Sequence, residues 1–165
     1  GERGEICICT PTVMKGYYNK PEETDMILRR HADGQIWAHT GDVGYMDEDG
    51  RIRINGRRKE IIIRGGENLS AREIDDNLVG CPGVGESATI GMPDDRLGER
   101  ICTFVVPSDP AAPPTQDDLI AYLRERHVAK RLWPERIEII DEIPKTLMGK
   151  VRRNVLTDEL AARMA

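Results

Sequence analysis

Two basic clusters stand out in a chain whose formal net charge is -5: Arg57-Arg58-Lys59 and the stretch from Lys145 to Arg153. Grouped guanidinium and ammonium groups suit a small phosphate ligand without making the whole chain basic. Asp42 follows Thr40-Gly41, and Lys150 closes a loop bracketed by Pro144 and Gly149. Taken alone, an aspartate after glycine is ordinary turn chemistry, and a loop lysine is ordinarily solvated. His127 is an acid/base candidate by residue type. It has no partner motif and is read as the cap of a helix end. Cys7, Cys9, Cys81 and Cys102 form no C-x-x-C pair. No histidine cluster completes a metal set by spacing, so buried thiols are expected and no metal.

The elements that would carry these residues can be read from periodicity. Glu48-Asp49-Gly50 is a turn signal. Arg51 to Asn55 alternates charged and apolar residues, the period of a half-buried strand, and Gly56 is read as its end. A charged knot, Arg57 to Glu60, leads into the β-branched run Ile61 to Ile63, which Gly65-Gly66 terminates with two residues that tolerate positive φ. An ordinary hairpin edge would show the same pattern. Upstream, Gly4 to Cys9 reads as a short strand. Pro21 fits the first turn of a helix with acids behind it. Ile36 to His39 reads as a strand, with Gly41 as a breaker. Downstream, Ser70-x-x-Glu73 is a capping box for a helix from Ala71 to Val79. Strands follow at Val84 to Gly91 and Ile101 to Val106, with a loop over 92–99 between them. Pro107 to Pro114 is a surface connection. Thr115 caps a helix to Arg126 whose apolar stripe is Leu119, Ile120 and Leu123. His127 to Trp133 is loop, Arg136 to Ile140 a strand and Asn154 to Met164 a last helix.

Gly56-Arg57-x-Lys59-Glu60-x-Ile62-x-x-Gly65-Gly66-Glu67-Asn68 resembles the inter-domain segment of the adenylate-forming enzymes, the acyl-CoA synthetases above all. More motifs of that family stand in the same order. Gly4-Glu5-Ile6 is followed by Met14-x-Gly16-Tyr17 and Pro21-Glu22-x-Thr24. Thr40-Gly41-Asp42, Pro93-Asp94-x-x-x-Gly98-Glu99 and Pro144-Lys145-Thr146-x-x-Gly149-Lys150 complete the series. The resemblance covers the whole chain and implies the last third of such an enzyme. Four positions depart from it: Cys9, often arginine; Thr10, usually glycine; Ala71, commonly proline; and Met148, usually small or hydroxylated.

What the resemblance implies is specific. Asp42 would accept hydrogen bonds from the ribose hydroxyls of ATP, a task that suits an acceptor-only carboxylate. Arg57 would assist at the ribose and phosphates. Lys59 would be a hinge, and Lys150 the catalytic lysine that meets both the substrate carboxylate and the α-phosphate. Gly65, Gly66, Glu67 and Asn68 would line the approach of CoA. ATP (with AMP as product), CoA and, through ATP, Mg²⁺ are the implied cofactors. A carboxylic acid and the rest of the large N-terminal domain are the implied partners. The expected fold class is α/β (α+β): residues 1–58 as β-rich strands ending the large domain, and residues 59–165 as a mobile small domain with a short sheet flanked by helices. A related ligase loading a carrier-protein phosphopantetheine is the alternative. The isolated chain is expected to be inactive, because the phosphate-binding loop and acyl pocket lie in the larger domain.

Composition narrows the classes further. The 165 residues are 39% hydrophobic and 32% charged, as in globular proteins. Aromatics are only 4%, which disfavours base stacking, and neither half is basic, which disfavours nucleic acid and anionic membranes. There is no transmembrane stretch or signal peptide in the sequence. A reducing cytoplasm is the expected setting, while the acid and the oligomeric state, homo-oligomer included, are left open.

Overall fold

The computed structural model describes residues 2–164. The chain divides into two compact units, Gly1–Lys59 and Glu60–Ala165, one residue beyond the boundary expected at 58/59.

In the first unit, β3 (Ile36–Met46) is the central strand. β1 (Gly4–Ile8) runs antiparallel along one edge, and β2 (Leu28–Arg30) and β4 (Ile52–Arg57) share the other. The short helix α1 (Pro21–Ile27) precedes β2, with Pro21 in its first turn as expected. Two glycines read as strand stops lie inside strands. β3 passes through Gly41, where β1 advances two residues, from Glu5 to Cys7, while β3 spans four, from Val43 back to His39. The positive φ of Gly41, 75°, belongs to this bulge. β4 passes through Gly56: Val43 faces Gly56 while Gly44 faces Ile54, so Asn55 is the extra residue. Glycine interrupts a ladder without ending it when the partner strand continues on both sides.

The alternation in β4 also lacks the covered face expected of it. Ile52 and Ile54 are 55% and 63% exposed. Among the described residues of this unit only Gly44 and Gly56 are buried, so it has a ladder but no apolar core.

The second unit is built around a five-stranded sheet. β5 (Ile61–Arg64) and β6 (Glu67–Ser70) form a hairpin, as do β7 (Val84–Asp94) and β8 (Gly98–Pro107). β9 (Arg136–Ile139) pairs parallel to β8. The order is β6-β5-β8-β7, with β9 beside β8. β6 was not expected. Its register, Arg64 opposite Glu67, leaves only Gly65 and Gly66 in the turn, both at positive φ as a type I′ turn requires. The expected 92–99 loop shrinks to three residues, because Met92 to Asp94 pair with Gly98 to Arg100.

β8 alternates faces, and this alternation creates two cores. Ile101 and Val105 pack with Ile74 and Leu78 of α2 (Ala71–Leu78) and Leu119 and Leu123 of α3 (Gln116–Glu125). Cys102 and Phe104 pack with Leu156 and Leu160 of α4 (Arg153–Met164). Helices therefore cover both faces of the sheet, an α/β arrangement of the kind expected. The buried Thr89 and Thr103 hydroxyls satisfy each other at 2.9 Å. Both interior helices begin where the caps place them. Ser70 Oγ accepts from Glu73 N at 3.2 Å. Thr115 and Asp118 form a reciprocal capping box.

Candidate functional site

Asp42 and Arg57 face each other across the β3–β4 ladder, and Arg57 Nε lies 3.2 Å from Asp42 Oδ1. The two residues expected at a nucleotide are thus cross-strand partners. The bulge before Asp42 is fixed by short contacts. Glu5 Oε1 accepts from Gly41 N at 3.1 Å, Thr40 Oγ1 accepts from Asp42 N at 3.1 Å, and the same hydroxyl donates to Ile6 O at 2.8 Å. A concave surface beside them is lined by Tyr17, His39, Thr40, Gly41, Arg57 and Lys59, among others. Lys59 lies in a one-turn 3₁₀ segment, Arg58–Glu60, and Glu60 alone separates it from β5. It is the last residue of the first unit.

The lysine loop belongs to the second unit. Lys145 and Val151 pair across its base, Arg152 N donates to Pro144 O at 2.8 Å, and Thr146 N donates to Lys150 O at 2.8 Å. Gly149, at φ 78°, donates to Thr146 O and closes the turn. The tip residues Leu147 and Met148 are fully open to solvent, and Lys150 is exposed. Lys145 Nζ holds Glu86 at 2.6 Å, tying the loop to the start of β7.

The Gly65-Gly66 turn sits at the other end of the same ribbon. Gly65 N donates to Leu97 O at 2.8 Å, in the β7–β8 turn, and Glu99 Oε2 accepts from Ile63 N at 2.6 Å. Glu86 and Asp94 are eight residues apart on β7, so the two loops are separated by about 25 Å. Arg64, next to the turn, makes two 2.9 Å hydrogen bonds to Glu135. That guanidinium, foremost, holds the Glu135 carboxyl below its ordinary range.

The structure therefore unites Asp42 with Arg57 and sets Lys150 and Gly65–Asn68 at opposite ends of one unit. Glu67 and Asn68 are strand residues of β6, paired with Arg64 and Ile63, instead of loop residues. His127 takes positive φ, 56°, at the end of α3, and its N donates to Arg124 O.

Sequence reasoning missed two groupings. Arg153, the first residue of α4, reaches Asp75 Oδ2 at 2.6 Å, Thr89 O at 3.0 Å and Glu60 Oε2 at 3.4 Å. Glu5, Cys7 and His39 form a second cluster, although no metal set was expected from spacing. Cys7 and Cys9 are half-buried instead of buried. Antiparallel pairing of Cys7 with His39 joins residues 32 positions apart, which no local pattern signals. The His39 hydrogen bond, foremost, lowers the Glu5 carboxyl; burial raises the Cys7 thiol.

Residues 73–150 match the AMP-binding enzyme C-terminal domain. The second unit thus carries the C-terminal domain of AMP-binding enzymes, and the chain as a whole is similar to the C-terminal region of the AMP-dependent synthetases and ligases. It is 38% identical over 164 residues to the medium-chain fatty-acid–CoA ligase of Escherichia coli K12, covering 99% of this chain and 28% of that protein. It is 42% identical over 164 residues, with the same coverage, to the long-chain-fatty-acid–CoA ligase of Salmonella typhimurium. Among solved structures, it superposes on the o-succinylbenzoate CoA synthetase of Bacillus subtilis in complex with the acyl-adenylate intermediate. The TM-score is 0.79 at 32% identity, over 95% of this chain and 31% of that one. The chain thus spans less than a third of the length of these relatives. Among the described residues no helix is long and apolar enough to cross a membrane.

Proposed function

We propose that this chain serves an ATP-dependent acyl-CoA synthetase, supplying the adenylation lysine, part of the nucleotide contact and the CoA-side turn. The observation that carries this reading is the placement of two unlike loops at opposite ends of one ribbon. One offers an exposed ammonium group, Lys150; the other offers the double-glycine turn Gly65-Gly66. A single lobe so built can serve two steps in succession, provided that it turns about Lys59 between them.

In the first step, an oxygen of the substrate carboxylate attacks the α-phosphorus of ATP. The new bond makes a mixed anhydride, the acyl-adenylate, and pyrophosphate leaves with the bonding electrons. Mg²⁺ enters as part of the nucleotide substrate. Two anions must approach each other, and negative charge grows on the α-phosphate oxygens. The Lys150 ammonium lowers that repulsion and stabilises the developing charge. Asp42 accepts from the ribose hydroxyls, with Arg57 beside it to hold its orientation and meet phosphate. In the second step the thiol of CoA attacks the acyl carbon, AMP departs and a thioester forms. Glycine at 65 and 66 lets backbone come close to the thin pantetheine arm. Carrier-protein phosphopantetheine presents the same thiol chemistry, and the CoA-ligase relatives favour CoA.

The test uses the full-length enzyme that carries this segment, with ATP, a panel of carboxylic acids and either CoA or a phosphopantetheinylated carrier protein. The expected result is one AMP and one acyl-CoA formed per ATP consumed, with the 165-residue chain alone giving no ATP–pyrophosphate exchange. Release of ADP in place of AMP, or acylation of the carrier alone, would overturn the reading.

A further inference from the structure

Glu5, Cys7 and His39 bring a carboxylate, a thiol and an imidazole nitrogen within 4.8 Å of one another. Cys7 and His39 are direct cross-strand partners on β1 and β3, and Glu5 lies two residues before Cys7. Cys7 Sγ is 3.6 Å from His39 Nδ1, and Nδ1 is 2.9 Å from Glu5 Oε2. Tetrahedral zinc with bonds of about 2.0–2.3 Å keeps its ligand atoms about 3.3–3.6 Å apart, so the sulfur–nitrogen distance already fits, while the 2.9 Å nitrogen–carboxylate contact must open by about 0.4 Å. We propose that Glu5, Cys7 and His39 form a three-ligand site for a thiophilic divalent cation of the Zn²⁺ class, with water as the fourth ligand.

The surroundings agree with this assignment. His39 Nε2 lies 2.9 Å from His31 Nε2. With a cation on Nδ1, the imidazole proton sits on Nε2 and is donated to His31, the outer hydrogen bond that orients metal-bound histidines. Glu5 is held from behind by Gly41 N through its other oxygen, at 3.1 Å. All three ligand residues are half-buried, which limits competing water and leaves an entry path. Binding converts the Cys7 thiol to a thiolate and releases that proton to solvent. The opposing charges are Arg58, whose Nη1 is 3.2 Å from Glu5 Oε2, and Arg29, whose charge acts on Cys7. The cation displaces the Arg58 guanidinium from that oxygen. Because Glu5 also holds Gly41, the occupied site stiffens the bulge that carries Asp42.

Titration of the full-length enzyme that carries this segment, wild type and variants alike, with Co²⁺, then Zn²⁺ in competition, tests this. One Co²⁺ per chain is expected, with a thiolate-to-metal charge-transfer band in the near ultraviolet. Cys7→Ser abolishes the band, Cys9→Ser leaves it unchanged, and His39→Ala weakens Zn²⁺ binding by about 10-fold or more. Arg58→Gln removes the competing cation and tightens Zn²⁺ binding several-fold, an arm that stands even where Cys7→Ser fails to fold. Absence of the band, its survival in Cys7→Ser, its loss in Cys9→Ser, or an unchanged affinity in Arg58→Gln would each overturn the assignment. None of these readouts depends on ligase activity.

Discussion

Arg153 shows how one side chain can organise a region that its own sequence position does not reveal. Its guanidinium joins Asp75 of α2, the Thr89 carbonyl of β7 and Glu60 at the start of the second unit. Burial and the guanidinium pull the Asp75 carboxyl in opposite directions. Burial is the larger effect and pushes it up to about 6. An acid whose folded pKa lies above its unfolded one stabilises the fold most below the unfolded pKa, near 4. That contribution is lost as pH rises through about 6. Wild type should therefore lose stability relative to Asp75→Asn between pH 4 and pH 7, as read by denaturant unfolding at each pH. A difference that instead grows with pH would mean that the Arg153 pair outweighs burial. Glu135 behaves in the opposite sense. Its carboxyl is held low by Arg64, so its contribution is present above the ordinary carboxylate range and is lost on acidification.

At the scale of elements, the segment that matters most is the short 3₁₀ turn Arg58–Glu60 leading into β5. If Lys59 is the pivot between the two steps, its φ must change while the strands on either side keep their ladders. Lys59→Pro fixes φ near −65°. We expect acyl-adenylate formation within a few-fold of wild type and a thioester step slowed at least about 10-fold, measured by single-turnover kinetics of each half-reaction. Equal rates for the thioester step would remove Lys59 as the hinge. Elements set by local chemistry were legible in the sequence. Pro21, Ser70 and Thr115 mark their helix starts because caps and first-turn prolines act within one turn of chain. Elements that depend on a distant partner were not. Gly41 and Gly56 read as stops because a bulge is defined by the strand opposite, not by the residue that bulges. Gly65-Gly66 is itself a hairpin signal, but β6 stays hidden because Glu67-Asn68 after it carry little strand propensity. The grouping of Glu5, Cys7 and His39 needs the β1–β3 register, which no single segment contains.

At the scale of the whole molecule, the two units differ in kind. The second closes its own cores on both faces of its sheet. The first carries Asp42 and Arg57 on a ladder with no buried apolar side chain among the described residues. The motifs Thr40-Gly41-Asp42 and Pro144 to Lys150 were readable as chemistry only through their resemblance to a family. The structure adds why each is rigid: a carboxylate-held bulge for the first, a closed turn tied to Glu86 for the second. The account therefore turns on whether the Lys150 ammonium serves one half-reaction and not the other. The most direct measurement compares full-length wild type and Lys150→Ala in two separate assays, acyl-adenylate formation from acid and ATP, and thioester formation from supplied acyl-adenylate and CoA. The first rate should fall by roughly 10²–10³, the scale for a preorganised electrostatic group, and the second by no more than a few-fold. Equal losses in both half-reactions would contradict the account.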